Sequence, residues 1–125
     1  MRPFYPKSKF RNKKCELDGR SFASQLERDV FGYLLIQGRR PGDIQGQDHV
    51  YLTKARVLYI PDFKVTDRNG YVYWVEAKGF ETPEWRIKLK LWRFYGPGCL
   101  HIYKRRGKSD VYLDEVVIAP EASGE

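Results

Sequence analysis

The spacing of apolar residues changes along the chain, and in two segments an apolar residue recurs every three or four positions. SQLERDVFGYLLIQG predicts a helix that begins after Ser24 and ends near Gly38. TPEWRIKLKLWRFYG predicts a second helix, with Thr82 as N-cap, Pro83 at the first position and Gly96 at the end. The sequence therefore predicts two amphipathic helices.

Short apolar runs rich in β-branched and aromatic residues predict the strands. HVYLT, ARVLYIPDFKV and YVYWVEAKG lie between the helices, and CLHIYKR follows the second helix. RRPGDIQGQD is interpreted as a loop, and DVYLDEVVIA fits either a strand or a short helix. This order is typical of an α/β protein with a mixed central β-sheet flanked by helices.

A length of 125 residues predicts one domain, residues 1–125, with a flexible basic arm at 1–14 and an acidic tail at 120–125. The net charge of +7 indicates a polyanionic partner, and we expect DNA. No hydrophobic signal core or membrane-length apolar run occurs, so no membrane partner is expected. Cys15 and Cys99 form no CxxC pair and fit a reducing, cytoplasmic location.

Charged residues interrupt the apolar stretch YIPDFKVTDRNGYVYWVEAKGF. Glu76 and Lys78 lie two apart and share one face of a strand. A two-residue turn at Asn69 and Gly70 would place Asp62 on the face opposite to Glu76. A three-residue loop with a left-handed Gly70 would pair Asp62 with Glu76, and we predict this longer loop.

Two neighbouring carboxylates repel each other unless a cation lies between them. Asp62, Glu76 and Lys78 therefore suit metal-assisted phosphodiester hydrolysis, in which a lysine assists the nucleophile or the phosphate. The alternative is an ion pair that only stabilises the hairpin. Glu27 is a third acid, inside the apolar stripe of the first helix. Its own alternative role is a capping box with Ser24.

Pro61-Asp62 followed by Glu76-Ala77-Lys78 resembles the signature of PD-(D/E)xK nucleases. With SFASQLE and TPEWRIKLKLWRFYG, the chain from about residue 12 to 106 is similar to small phage-encoded endonucleases, including endonuclease I-type Holliday-junction resolvases and a phage domain family of unknown function. The resemblance implies a restriction-endonuclease-like core and catalytic roles for Glu27, Asp62, Glu76 and Lys78. It also implies one or two Mg²⁺ or Mn²⁺ ions on Asp62, Glu76 and Glu27. The segment 39–56 matches no motif of these families.

Basic residues suggest where DNA lies. The candidates for DNA contact lie in three regions. They are Arg86, Lys90 and Arg93 on a ridge of the second helix, Lys13 and Lys14 in the basic arm, and Arg105 and Arg106 at the end of the fourth strand. We expect a metal-dependent DNA endonuclease selective for branched DNA, acting as a homodimer in the host cytoplasm if phage-encoded. The alternatives are a sequence-specific or transposon-end nickase and a non-catalytic DNA-binding module.

Overall fold

The computed structural model describes residues 15–17, 19–108 and 110–119. The predicted basic arm, with Lys13 and Lys14, and the predicted acidic tail lie outside the described residues. The helices are α1 (Gln25–Ile36) and α2 (Pro83–Tyr95), and a 3₁₀ turn covers Pro41–Asp43. The strands are β1 (Cys15–Leu17), β2 (Arg20–Phe22), β3 (Ile44–Gly46), β4 (Val50–Leu52), β5 (Val57–Tyr59), β6 (Phe63–Thr66), β7 (Val72–Ala77), β8 (Leu100–Arg106) and β9 (Asp110–Val117).

Five strands form one mixed sheet in the order β3-β6-β7-β8-β9, in which only the β7–β8 pair is parallel. The predicted mixed α/β architecture is confirmed, and β6 and β7 are interior strands as expected. The segment DVYLDEVVIA contains strand β9, and no part of it is helical. The interpretation of RRPGDIQGQD as a loop is wrong, because it contains the 3₁₀ turn and the edge strand β3.

Helix α1 covers one face of the sheet. It starts where predicted, because the Ser24 hydroxyl accepts a hydrogen bond from the N–H of Glu27 at 3.1 Å. Val30, Phe31 and Leu34 recur on one side of the helix and are fully buried. They pack with residues of β3, β6 and β7 in one hydrophobic core.

Helix α2 covers a second core, with Trp85 and Trp92 buried in it. The Thr82 hydroxyl caps the helix at the N–H of Trp85, 3.1 Å away. Apolar residues form two stripes along this helix in the sequence and predicted burial on two sides, which is wrong, because Ile87 and Phe94 are 58% and 73% exposed. Trp85 and Trp92 face the protein's own interior.

The run ARVLYIPDFKV is not the single strand that the sequence predicted. It divides at Pro61 into β5 and β6, because proline has no N–H to donate to a strand ladder. Strand β5 pairs with β4 in a separate two-stranded ribbon that packs on the α2 core, whereas β6 joins the main sheet. Neither helix in the described part of the chain is long and apolar enough to cross a membrane.

Candidate active site

The loop between β6 and β7 sets the position of the acidic residues. Phe63 pairs with Val75 and Thr66 pairs with Val72, and the N–H of Asp67 donates to the carbonyl of Tyr71 at 2.9 Å, which leaves a three-residue loop at 68–70. Gly70 has φ +84°, in the left-handed region that glycine adopts readily. The predicted longer loop is confirmed, and extending this register places Asp62 opposite Glu76.

Asp62 lies where the β6 ladder ends. Extending the register places Ala77 opposite Pro61. The N–H of Ala77 donates instead to Oδ2 of Asp62 at 2.8 Å. This bond fixes the Asp62 carboxylate beside the end of β7, while part of the side chain still reaches solvent.

Glu76 is 7% exposed and is held by three groups. Its Oε1 accepts a hydrogen bond from the Tyr59 hydroxyl at 2.7 Å, and its Oε2 lies 3.4 Å from Nζ of Lys78. The backbone N–H of Asp62 also lies near the Glu76 carboxylate and lowers its pKa. Tyr59 is itself buried between Trp85 and Trp92, so its hydroxyl approaches Glu76 from a rigid aromatic support.

Lys78 forms the ion pair that the sequence left as an alternative to catalysis. Its ammonium also lies 4.4 Å from the centre of the Trp85 ring, within cation–π range. One side of Lys78 lines a cleft of about 380 Å³ together with Lys104 and Arg105. Lys78 is therefore positioned by Glu76 and Trp85 and also has access to an open cleft.

Glu27 reaches the same end of the sheet from α1. Only half of the predicted capping box forms among the described residues: the Ser24 hydroxyl accepts from the N–H of Glu27, whereas the Glu27 carboxyl lies near the backbone of Ala23 and the carboxyl of Asp62, which both lower its pKa. Glu27 and Asp62 line a cleft of about 210 Å³ with Arg20 and Gln47. Glu27 and Asp62 thus share one cleft, and the extended register places Asp62 opposite Glu76.

The pKa values of all three acids are raised. Burial, followed by the charges of Glu76 and Glu27, raises the pKa of Asp62 to about 8. Burial raises the pKa of Glu27 and that of Glu76, although Tyr59 and Lys78 oppose the change at Glu76. Burial is the largest cause at each of the three acids, and only at Asp62 do neighbouring carboxylates add to the rise.

The donor set suits a hard divalent cation with few protein ligands. Within the described ranges, no three His, Cys, Asp or Glu side chains form a group that could hold a metal ion. Mg²⁺ is commonly bound through one or two carboxylates, together with waters and substrate phosphates. The carboxyls of Asp62 and Glu27 could supply the one or two carboxylates that Mg²⁺ needs. The Glu76 carboxylate is already bound by Tyr59 and Lys78.

The basic residues expected at DNA have acidic or aromatic neighbours in the structure. Arg86 pairs with Glu81 and Arg93 with Glu115, both at 3.0 Å, whereas Lys90 is exposed. Arg105 bridges β8 to α1 through Asp29 at 2.6 Å. Arg106 lies over the ring of Tyr112, 4.5 Å from its centre. Arg86 and Arg93 must exchange a carboxylate for a phosphate if they are to contact DNA.

Sequence reasoning missed two residues near the acids. Tyr59 bonds to Glu76 only because the chain turns at Pro61, and no local pattern indicates that contact. Gln47 has φ +61°, an uncommon conformation for a non-glycine residue, and it lies in a segment that was interpreted as loop. A strained residue beside a cleft is a feature that only the folded chain reveals.

The fold and site together define an α/β protein in which Asp62 and Glu27 share a cleft and Asp62 lies opposite the Glu76–Lys78 ion pair, at the end of two central strands. Comparisons with protein-family models, with curated proteins and with solved structures found no match for this chain.

Proposed function

We propose that this protein is a metal-dependent DNA endonuclease of the PD-(D/E)xK type that hydrolyses phosphodiester bonds, preferably in branched DNA such as Holliday junctions. The observation that carries the proposal is the β6–β7 register, which sets Asp62 opposite Glu76 with Lys78 beside them. The mixed sheet between two helices is compatible with a restriction-endonuclease-like core.

In this proposal Mg²⁺ or Mn²⁺ would be held by Asp62 with Glu27 or Glu76. The ion would lower the pKa of a bound water and neutralise charge on the scissile phosphate. Glu27 also orients the attacking water. Lys78, already beside Glu76, assists the nucleophile or stabilises the negative charge that develops on the phosphate.

A purely structural ion pair explains less of the site. Lys78 and Glu76 would suffice for it, and further acids nearby would only add repulsion. Asp62 and Glu27 nevertheless line one cleft, and the charges of Glu76 and Glu27 add to the raised pKa of Asp62. Burying several carboxyl groups together costs stability, so a role in binding a cation accounts for an arrangement that stability does not.

The decisive experiment compares supercoiled plasmid and a four-way junction, each in Mg²⁺ and in EDTA. The wild-type protein should cut in Mg²⁺ alone. Asp62→Ala, Glu76→Ala and Lys78→Ala should each lower the rate by roughly 10² to 10⁴, while junction binding is retained. Glu84→Ala removes an exposed acid of α2 and serves as the matched control.

The products separate the enzymatic alternatives. Paired, symmetric cuts across the junction support resolution of branched DNA, whereas single nicks in plasmid with an intact junction favour a sequence-specific or transposon-end nickase. If the wild-type protein cuts neither DNA in Mg²⁺ or Mn²⁺, or if the three alanine variants cut at its rate, the nuclease proposal is wrong.

A further inference from the structure

The β4–β5 ribbon has one buried face and one exposed face. Val50, Leu52 and Tyr59 point into the α2 core. Tyr51 and Leu58 are direct cross-strand partners on the other face, where they are 46% and 36% exposed. Two apolar side chains therefore lie side by side in contact with solvent on a short strand pair.

The charge on this ribbon has one sign. Residues 49–61 contain Lys54 and Arg56 and no acid. The Arg56 guanidinium lies 4.1 Å from the centre of the Tyr51 ring. Among the described residues neither Lys54 nor Arg56 has an acidic partner, in contrast to Arg86 and Arg93 on α2. An acid-free surface that combines an aromatic ring with cations is complementary to bases and phosphates.

The ribbon is directly connected to the candidate active site. Its last residue, Tyr59, donates a hydrogen bond to Glu76, and Asp62 follows three positions later. A nucleic acid bound on the outer face of the ribbon would thus contact an element that also supports the catalytic carboxylates.

We propose that the β4–β5 ribbon binds exposed bases at a branch point or other unpaired position in DNA. Tyr51 stacks on a base whose duplex neighbour is missing, Leu58 packs beside it, and Lys54 and Arg56 contact the flanking phosphates. This inference rests on the proposed nuclease function for its biological meaning. It adds a determinant of branch preference that is separate from the acids that hydrolyse the bond.

The test measures DNA binding in EDTA, where cleavage plays no part. Fluorescence anisotropy compares a four-way junction with a linear duplex of the same sequence. Tyr51→Ala should weaken junction binding about tenfold and duplex binding much less, because stacking on one base is lost. Tyr51→Phe keeps the ring and should bind as the wild type does. Tyr95→Ala, at a tyrosine on α2 that is 54% exposed, is the matched control.

The charge component is tested with Lys54→Ala/Arg56→Ala. This double variant should weaken binding to both DNAs and should reduce the slope of log K against log salt by about 1 to 2. Lys64→Ala/Lys88→Ala removes the same charge elsewhere and is the control. A 2-aminopurine placed at the branch should change fluorescence with wild-type protein and not with Tyr51→Ala.

The outcomes distinguish this inference from the nuclease proposal. Junction binding that depends on the ribbon, by a protein that never cuts DNA, would support the ribbon and refute the nuclease. If the wild-type protein cuts DNA and the Tyr51 and Lys54/Arg56 variants bind the junction as the wild type does, the nuclease proposal is supported and the ribbon proposal is refuted. The inference would also be overturned if the ribbon variants lose no more junction affinity than the control variants. Binding to anionic vesicles that depends on the ribbon, with no such binding to DNA, would overturn it as well. Circular dichroism melts confirm folding, and Leu58→Ala tests the same face if Tyr51→Ala does not fold.

Discussion

The raised pKa of Asp62 makes a prediction about the stability of the metal-free protein. An unfolded chain releases the Asp62 proton near pH 4, whereas the folded chain retains it until about pH 8. Between those values the folded state binds more protons, so the free energy of unfolding falls as the pH rises. The raised pKa values of Glu27 and Glu76 act in the same direction.

The substitution Asp62→Asn should remove much of this dependence. A shift from 3.8 to about 8 corresponds to about 6 kcal/mol if it is transmitted in full. Part of the side chain reaches solvent and its neighbours titrate with it, so we expect roughly half of that. The asparagine oxygen can still accept the N–H of Ala77. Asp62→Asn should therefore be about 3 kcal/mol more stable than the wild type at pH 8, and nearly equal to it at pH 4.

Urea unfolding followed by circular dichroism, in EDTA at several values between pH 4 and pH 8.5, measures this directly. Asp67→Asn is the matched control, because Asp67 flanks the hairpin loop away from the three acids, and an asparagine oxygen can still accept the N–H groups of Asn69 and Tyr71. Adding Mg²⁺ at pH 8 should stabilise the wild type and leave Asp62→Asn nearly unchanged. Wild-type stability that is flat or rises between pH 5 and 8, or an Asp62→Asn variant that is less stable at pH 8, would show that the folded protein does not retain the Asp62 proton.

Three further predictions concern catalysis and assembly. Glu27→Ala should abolish cleavage, whereas Ser24→Ala should cost about 1 kcal/mol of stability and leave the cleavage rate unchanged. If Glu27→Ala lowers the melting temperature and leaves the cleavage rate unchanged, Glu27 acts only as a capping residue. Tyr59→Phe should lower the cleavage rate about tenfold by releasing Glu76, and should cost about 1 to 3 kcal/mol in urea unfolding; an unchanged rate would remove Tyr59 from the site. Light scattering at micromolar protein should detect a dimer with a four-way junction, because two symmetric cuts need two sites; a monomer with and without the junction favours the nickase.

The sequence predicted the elements whose signals are local. Both helices begin at the hydroxyl caps, Ser24 and Thr82, because a cap and the apolar spacing behind it lie within a few residues of each other. The loop at 68–70 was predictable for a different reason. Turn statistics favour the shorter Asn-Gly turn, but only the longer loop puts Asp62 and Glu76 on one face.

The features that were missed depend on contacts between distant residues. Strand β3 has three residues and ends in glycine, too short a pattern to predict, and its pairing with β6 gives it a place in the sheet. The ion pairs of Arg86 and Arg93 join α2 to Glu81 and to β9, so the helix sequence alone indicated a free basic ridge. The exposure of Phe94 likewise depends on which side of α2 the sheet covers.

The division of the chain at Pro61 connects the candidate site to the ribbon. Because proline cannot donate to the ladder, β5 leaves the main sheet and carries Tyr59 over the side chain of Glu76. The same break leaves the Asp62 carboxylate to accept the N–H of Ala77. In a continuous strand, residue 61 would hydrogen-bond within the ladder. The direction of the Asp62 side chain would then follow only from the alternation of side chains between the two faces of the sheet. The proline therefore accounts both for the position of the acid and for the ribbon beside it, and a DNA branch bound at Tyr51 would lie on the chain segment that leads directly into the carboxylates.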